Sequence, residues 1–187
     1  MKHIAIFASG EGTNAERIID HLSKSKAAKV VLLISNNMKS GALDKAVQRE
    51  VPIMILDRKE FFADESIIKF LISEKIDLIV LAGFLWMIPK NLIAAFPNKI
   101  INIHPALLPK HGGKGMFGSN VHKAVLVAKE KETGISVHFV NENFDEGKII
   151  FQAKCPVESN DTPQTLSTKV QQLEHQHYPV VIEKLLQ

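Results

Sequence analysis

Five short apolar runs recur along the first hundred residues with amphipathic stretches between them, and this alternation constrains the fold more than any other feature of the chain. The runs are Ile4 to Ala8, Val30 to Ser35, Ile53 to Leu56, Asp77 to Ala82 and Lys99 to Ile103. Each is rich in Ile, Val and Leu with little alternation of polarity, as expected of a strand covered on both faces. Between them, Asn14 to Ser23 carries Ala15, Ile18, Ile19 and Leu22 at helical spacing, and Ser66 to Lys75 carries Ile67, Ile68, Leu71 and Ile72 in the same way. Strands alternating with helices predict an α/β fold: a Rossmann-like open twisted sheet, mostly parallel, with helices on both faces.

The pattern changes after residue 130. Gly134 to Val140 and Gly147 to Val157 read as longer strands on either side of a polar turn, Asn141 to Glu146, which predicts an antiparallel C-terminal extension of the sheet. A last helix is expected from Thr162, which can cap ahead of Pro163, through Leu166, Val170, Leu173, Tyr178, Val181 and Leu185. Pro179 is expected to kink this helix or end its first segment. No repeat, low-complexity tract or linker-like shift interrupts the 187 residues, so a single domain spanning 1–187 is expected.

Charge and composition narrow the partners. The net charge is +3 and the lysines are scattered among acids, which argues against nucleic acid and suits a phosphorylated small molecule. No apolar run is long enough for a bilayer and the N-terminus enters a strand directly, so no membrane partner and a cytoplasmic location are expected. The single cysteine, Cys155, permits no internal disulfide and reads as a strand thiol in a reducing compartment. Monomer and homodimer both remain open.

In the stretch Ile100 to Lys110 an apolar strand ends with a carboxamide and an imidazole two positions apart, and i and i+2 share a strand face. Asn102 and His104 are therefore expected to project together at the end of a strand where open α/β sheets place ligands. An amide N–H and an imidazolium N–H aimed at one point hold an oxyanion, so acyl transfer is the reaction class they suggest. Asp145, in the late polar turn, is the carboxylate expected to keep His104 protonated. Upstream, Ser9 to Ala15 carries a glycine-rich turn into the first helix, a natural anion site at exposed N–H groups. It also reads as the dinucleotide fingerprint G-x-G-x-x-A, but the second strand ends Ser35-Asn36-Asn37 with no acid for ribose hydroxyls. A bare tight turn, with Thr13 merely capping a helix, is the remaining alternative. The segment His111 to Gly118 holds four glycines and reads as a mobile cover, with Lys110 or Lys114 near an anion, or as a plain solvent loop.

Taken together, Ser9 to Asn14, Ala82 to Leu85, Asn102 to Pro109, Gly134 to Phe139 and Asp145 to Gly147 closely resemble the phosphoribosylglycinamide formyltransferases, the purine-pathway branch of the folate-dependent formyltransferase superfamily. The resemblance implies formyl transfer from 10-formyltetrahydrofolate, a co-substrate, to the amine of phosphoribosylglycinamide in purine biosynthesis. It implies Asn102, His104 and Asp145 as the catalytic residues. Gly12, Thr13 and Asn14 would bind the substrate phosphate and Glu174 the ribose hydroxyls. The folate would lie against Leu85, Trp86, Met87, Ile88, Asn102, Val140, Asn141, Phe144 and Asp145. The chain departs from the family at Trp86, where many relatives carry an arginine, and at Phe61 to Glu65, which offers no second one. Two branches with the same signature carry an extra domain, before the first strand in the deformylases and after the catalytic domain in the methionyl-tRNA enzymes; this chain is expected to hold neither. From other classes, a nicotinamide enzyme and a non-catalytic phosphate-binding module are the rivals. No metal is expected, since His175 and His177 lie two apart and do not share a helix face.

Overall fold

A computed structural model describes residues 1–187. Its strands are β1 (Lys2–Phe7), β2 (Ala28–Ser35), β3 (Ile53–Ile55), β4 (Leu78–Leu81), β5 (Ile100–His104), β6 (Glu132–Phe139) and β7 (Ile149–Pro156). Its helices are α1 (Thr13–Leu22), α2 (Gly41–Val47), α3 (Arg58–Ala63), α4 (Ser66–Ser73), α5 (Lys90–Ala95), α6 (Ser119–Val127) and α7 (Pro163–Leu185). The strand order is β3-β2-β1-β4-β5-β6-β7. β1 runs parallel to β2 and β4, β2 runs parallel to β3, and β6 and β7 are antiparallel. The fold is therefore the expected α/β arrangement, a mostly parallel sheet with an antiparallel C-terminal pair and helices around it. Every expected strand is present, with ends shifted by one or two residues.

Contacts divide the chain into two compact units, residues 1–101 with 179–187, and residues 102–178. In the first, the order of strands reverses between β1 and β4, the switch point at which open α/β sheets bind ligands outside the strands' C-terminal ends. Its core is the run Ile4 to Phe7 with Leu33, Ile34 and Ile79, against Ala15, Ile18 and Leu22 of α1, all essentially inaccessible to solvent. The helical spacing of α1 predicted this buried face, and that of α4 predicted Ile67, Ile68 and Leu71, which are buried, whereas Ile72, expected on the same face, is exposed. The short helices α2, α3 and α5 escape periodicity because six or seven residues make too little of a face. Two of them carried a readable cap: Ser40 accepts from the Ala42 N–H, and Asp57 from the Lys59 and Glu60 N–H groups.

The second unit is built on the β6–β7 ladder, in which Gly134 faces Lys154 and Val137 faces Phe151. β6 buries Ile135 and Val137 on one face and Ser136 and His138 on the other, so the strand is covered on both sides. Helix α7 opens as predicted, with the Thr162 hydroxyl accepting from the Thr165 N–H. It then runs through Pro179 to Leu185 instead of ending there. Buried Tyr178, Val181 and Ile182 flank the proline, and their packing outweighs the one intrahelical bond that its missing N–H removes.

Candidate active site

β5 delivers Asn102 half-buried and His104 with 3% of its surface exposed. The polypeptide just beyond them is pinned by one hydroxyl. Ser136 donates to the Ala106 carbonyl at 2.7 Å and accepts from the Leu108 N–H at 2.9 Å and from Gln152 Nε2 at 2.8 Å. A buried serine satisfied three ways leaves the segment after His104 little freedom.

Asp145 stands at the end of the polar turn, where the Asn141 side chain accepts from the Asn143 N–H and the Asn143 amide reaches Glu146. The carboxylate lies between two imidazoles: Oδ2 is 3.4 Å from His104 Nδ1, and Oδ1 is 3.6 Å from His138 Nε2. His138 Nε2 is in turn 3.2 Å from Asn102 Nδ2. The three residues expected to act together are thus joined in one chain, Asn102 to His138 to Asp145 to His104. His138 was not among the residues singled out. Its sequence signal is the polar pair Ser136 and His138 at alternate positions of an otherwise apolar strand, since i and i+2 share a face.

The glycine-rich segment touches the site at two points. The His111 carbonyl accepts from His104 Nε2 at 2.8 Å, and the Gly113 N–H donates to Asp145 Oδ2 at 2.9 Å. Lys110 and the His111 ring both pair with Glu130, so Lys110 is engaged there, while Lys114 is exposed.

Burial pushes the His104 imidazole below its ordinary value, and the Asp145 carboxylate, which pulls it upward, does not offset that. Asp145 thus favours the charged ring, as expected, while burial opposes it. A carbonyl can only accept, so His104 Nε2 carries a hydrogen toward His111, and Nδ1 faces Asp145. Burial raises the Asp145 carboxyl, but the His138 contact, the His104 charge and the Gly113 N–H together bring it below the usual carboxylate range. His122 on α6, buried with Nδ1 unpartnered, is also pushed down by burial. These shifts set the pH dependence of stability. Below about 6.5 the unfolded chain binds protons at positions 104 and 122 that the folded chain declines, so stability falls as pH drops through that value. Asp145 adds to the loss at lower pH, because its contribution is present above about 3.8 and disappears as pH falls through its lower folded value. A urea midpoint that declines between pH 7.5 and 5 is expected; a flat midpoint contradicts the assignment of both buried imidazoles.

In the first unit, the turn after β1 places Gly12 at the N-terminus of α1 with φ 74°, and no side chain caps the helix there. Gly12, not Thr13, holds the capping position, and Thr13 and Asn14 open the helix. A Cβ on Gly12 would overlap Ala42, so the glycine is required by both conformation and space. Ser9 ties this turn to the segment after β4: its N–H donates to Gly83 O at 3.1 Å, and its hydroxyl accepts from the Leu85 N–H at 2.9 Å. Of the next residues, Leu85 and Met87 are exposed, Trp86 is half-buried and Ile88 is buried. Trp86 is held in an aromatic cluster with Phe61, Phe62 and Phe84, and the Arg58 guanidinium lies 5.3 Å from the centre of its ring. An arginine is thus present beside Trp86, supplied by α3.

In the second unit Val140 is half-buried, and Asn141 and Phe144 are exposed on the turn that carries Asp145. Glu174 lies half-buried on α7, and the His177 ring packs on Phe151 at 5.1 Å. No group of three or more His, Cys, Asp and Glu side chains is arranged to hold a metal ion. No helix is long and apolar enough to cross a membrane.

A family model described as formyl transferase matches residues 2–182. A chloroplastic phosphoribosylglycinamide formyltransferase of Arabidopsis thaliana is 37% identical over 97% of this chain and 64% of its own length. That of Haemophilus influenzae is 38% identical over 98% of this chain and 86% of its own. The chain spans less than two thirds of the length of the plant relatives it matches. Among solved structures, glycinamide ribonucleotide transformylase 1 from Geobacillus kaustophilus superimposes with a TM-score of 0.91 at 33% identity, covering 100% of both chains.

Proposed function

This chain belongs to the formyl transferase family, and from that premise we infer that it moves a formyl group from 10-formyltetrahydrofolate to the amine of phosphoribosylglycinamide. The products are the N-formyl ribonucleotide and tetrahydrofolate, in purine biosynthesis. The donor is the one the family implies, and the names of the relatives support the acceptor. The observation that carries the reading is the chain of contacts Asn102, His138, Asp145 and His104, a donor amide linked to a proton-handling pair.

In the proposed mechanism the neutral amine attacks the formyl carbon, and the carbonyl pair moves onto oxygen as the new C–N bond forms. An Asn102 N–H stabilises the oxyanion. With Nε2 committed to the His111 carbonyl, Nδ1 is the ring nitrogen that exchanges the proton. The proton shed by the ammonium reaches Nδ1 beside Asp145, and the imidazolium then opposes both the carboxylate and the oxyanion. Collapse returns the pair to carbonyl, breaks the C–N bond to the folate, and sends the proton to that leaving nitrogen. No covalent enzyme intermediate is required.

Gly12, Thr13 and Asn14 are assigned to the substrate phosphate, which the uncapped N-terminus of α1 favours. Glu174 is assigned to the ribose hydroxyls. The folate is assigned to Leu85, Trp86, Met87 and Ile88, and to Asn102, Val140, Asn141, Phe144 and Asp145; the exposed Leu85, Met87 and Phe144 suit an apolar heterocycle. Residues 1–187 are taken to act as one formyltransferase domain, as a monomer or homodimer, in the cytoplasm. The test is formyl transfer to phosphoribosylglycinamide from 10-formyltetrahydrofolate, with water and methionyl-tRNA as competing acceptors. Selective formylation of the ribonucleotide is expected, and preferential use of either competitor overturns the reading.

A further inference from the structure

We propose that His138 is a positioning residue for this reaction, its bare Nε2 accepting one amide hydrogen of Asn102 so that the other is aimed at the developing oxyanion. The proposal rests on the function inferred above and adds to it the group that decides which way Asn102 faces.

A carboxamide has two ends of nearly equal shape, one donating and one accepting. Only one orientation serves an oxyanion, because the flipped amide presents oxygen to negative charge. Something beside Asn102 must therefore be an obligate acceptor. His138 meets that requirement through its other nitrogen. Nδ1 lies 2.9 Å from the Phe139 carbonyl, which can only accept, so Nδ1 carries the hydrogen of the neutral ring and Nε2 is left bare. Nε2 lies 3.2 Å from Asn102 Nδ2, and His138 has 2% of its surface exposed, so no solvent hydrogen bond competes for it.

The surroundings preserve this arrangement. Gly147 backs onto the Phe139 carbonyl so closely that a Cβ there would overlap it, and the glycine leaves that carbonyl in reach of Nδ1. The Phe139 N–H is held by the Lys148 carbonyl at 3.0 Å, which fixes the peptide. Asp145 Oδ1, 3.6 Å from Nε2, lies beyond hydrogen-bond reach, so it does not claim a hydrogen on Nε2 in place of the Asn102 amide. One backbone carbonyl thus sets a tautomer, the tautomer sets an amide, and the amide offers one N–H outward.

Imidazole 15N NMR on the folded wild-type protein tests the hydrogen bond without turnover. The expected result is a protonated Nδ1 and a bare Nε2 at His138, with Asn102→Ala moving the Nε2 resonance and leaving Nδ1 in place. A ring that carries a hydrogen on Nε2, with or without one on Nδ1, overturns the proposal whatever the protein transfers. Kinetics test the consequence. His138→Asn can still donate to Phe139 but offers nothing at the Nε2 position, and it lowers kcat about tenfold with KM unchanged. His138→Gln, which brings a carbonyl oxygen near that position, recovers most of the loss. In an Asn102→Ala background, His138→Asn costs nothing further. Equal losses in both backgrounds, or a better Asn than Gln variant, leave His138 a packing role and overturn the proposal. A wild-type protein that transfers no formyl group overturns the reaction itself, and the NMR result still decides the hydrogen bond.

Discussion

Asn102→Ala lowers kcat by about a hundredfold to a thousandfold, the usual effect of deleting one oxyanion donor, and leaves the fold intact. The fold survives because Asn102 is half-buried and the hydrogen bond its side chain makes ends on one ring nitrogen, so the deletion strands little polar surface. The rate falls because the lost N–H matters only when charge develops on oxygen, so KM changes far less than kcat. His104→Ala reduces turnover at least as far, and there the loss of the buried contacts to His111 and Asp145 also lowers stability. Steady-state kinetics beside a urea titration separate the two components. Near-normal turnover by purified Asn102→Ala removes that residue from the chemistry.

Gly147→Ala destabilises the protein by about 3 kcal/mol and abolishes most activity, the largest effect expected of any single methyl group in the chain. The added carbon would overlap the carbonyl oxygen of Phe139, a backbone atom that no rotamer change can move aside. Relief requires the Phe139 and Lys148 peptides to separate, which weakens their 3.0 Å bond and the His138 contact to the same carbonyl. Asp145 lies two residues away and moves with the turn. A urea midpoint close to wild type would show that the turn can open without strain, and the close approach would then have no energetic meaning.

The contrast between these two positions shows what the sequence could disclose. Strand alternation was enough to place Asn102 and His104 on one face, because side-chain direction is set by the backbone period. The apolar runs disclosed the parallel strands for a similar reason, being local consequences of burial. His138 was hidden because alternation says which face a residue occupies and not which residue of another strand it meets. The partners of His104 and Asp145 in His111 and Gly113 were hidden more deeply. They are a carbonyl and an N–H, which almost every residue possesses, so no side chain advertises them. The opposing pull of burial on His104 was hidden for a related reason. A nearby aspartate can be suspected from sequence, but the 3% exposure that outweighs it is a property of the assembled unit. At Pro179 the sequence left a kink and an end both open, and a local rule about one missing N–H does not count the burial of Tyr178 and Ile182, on either side of it in the continuous helix.

Asp145 and His111 share one more property: φ is 57° at the first and 56° at the second, in the left-handed region where glycine is at ease and a side chain is tolerated at a cost of order 1 kcal/mol. Conformation alone would therefore favour glycine at both positions. The proposed chemistry needs a carboxylate at the first, and the Glu130 anchor needs an imidazole at the second. Folding and reactivity make competing claims on these two residues. A laboratory selection for thermal resistance alone would be drawn to them, and a chain that yielded to it would gain robustness by erasing the group that handles the proton and loosening the tether that holds its partner.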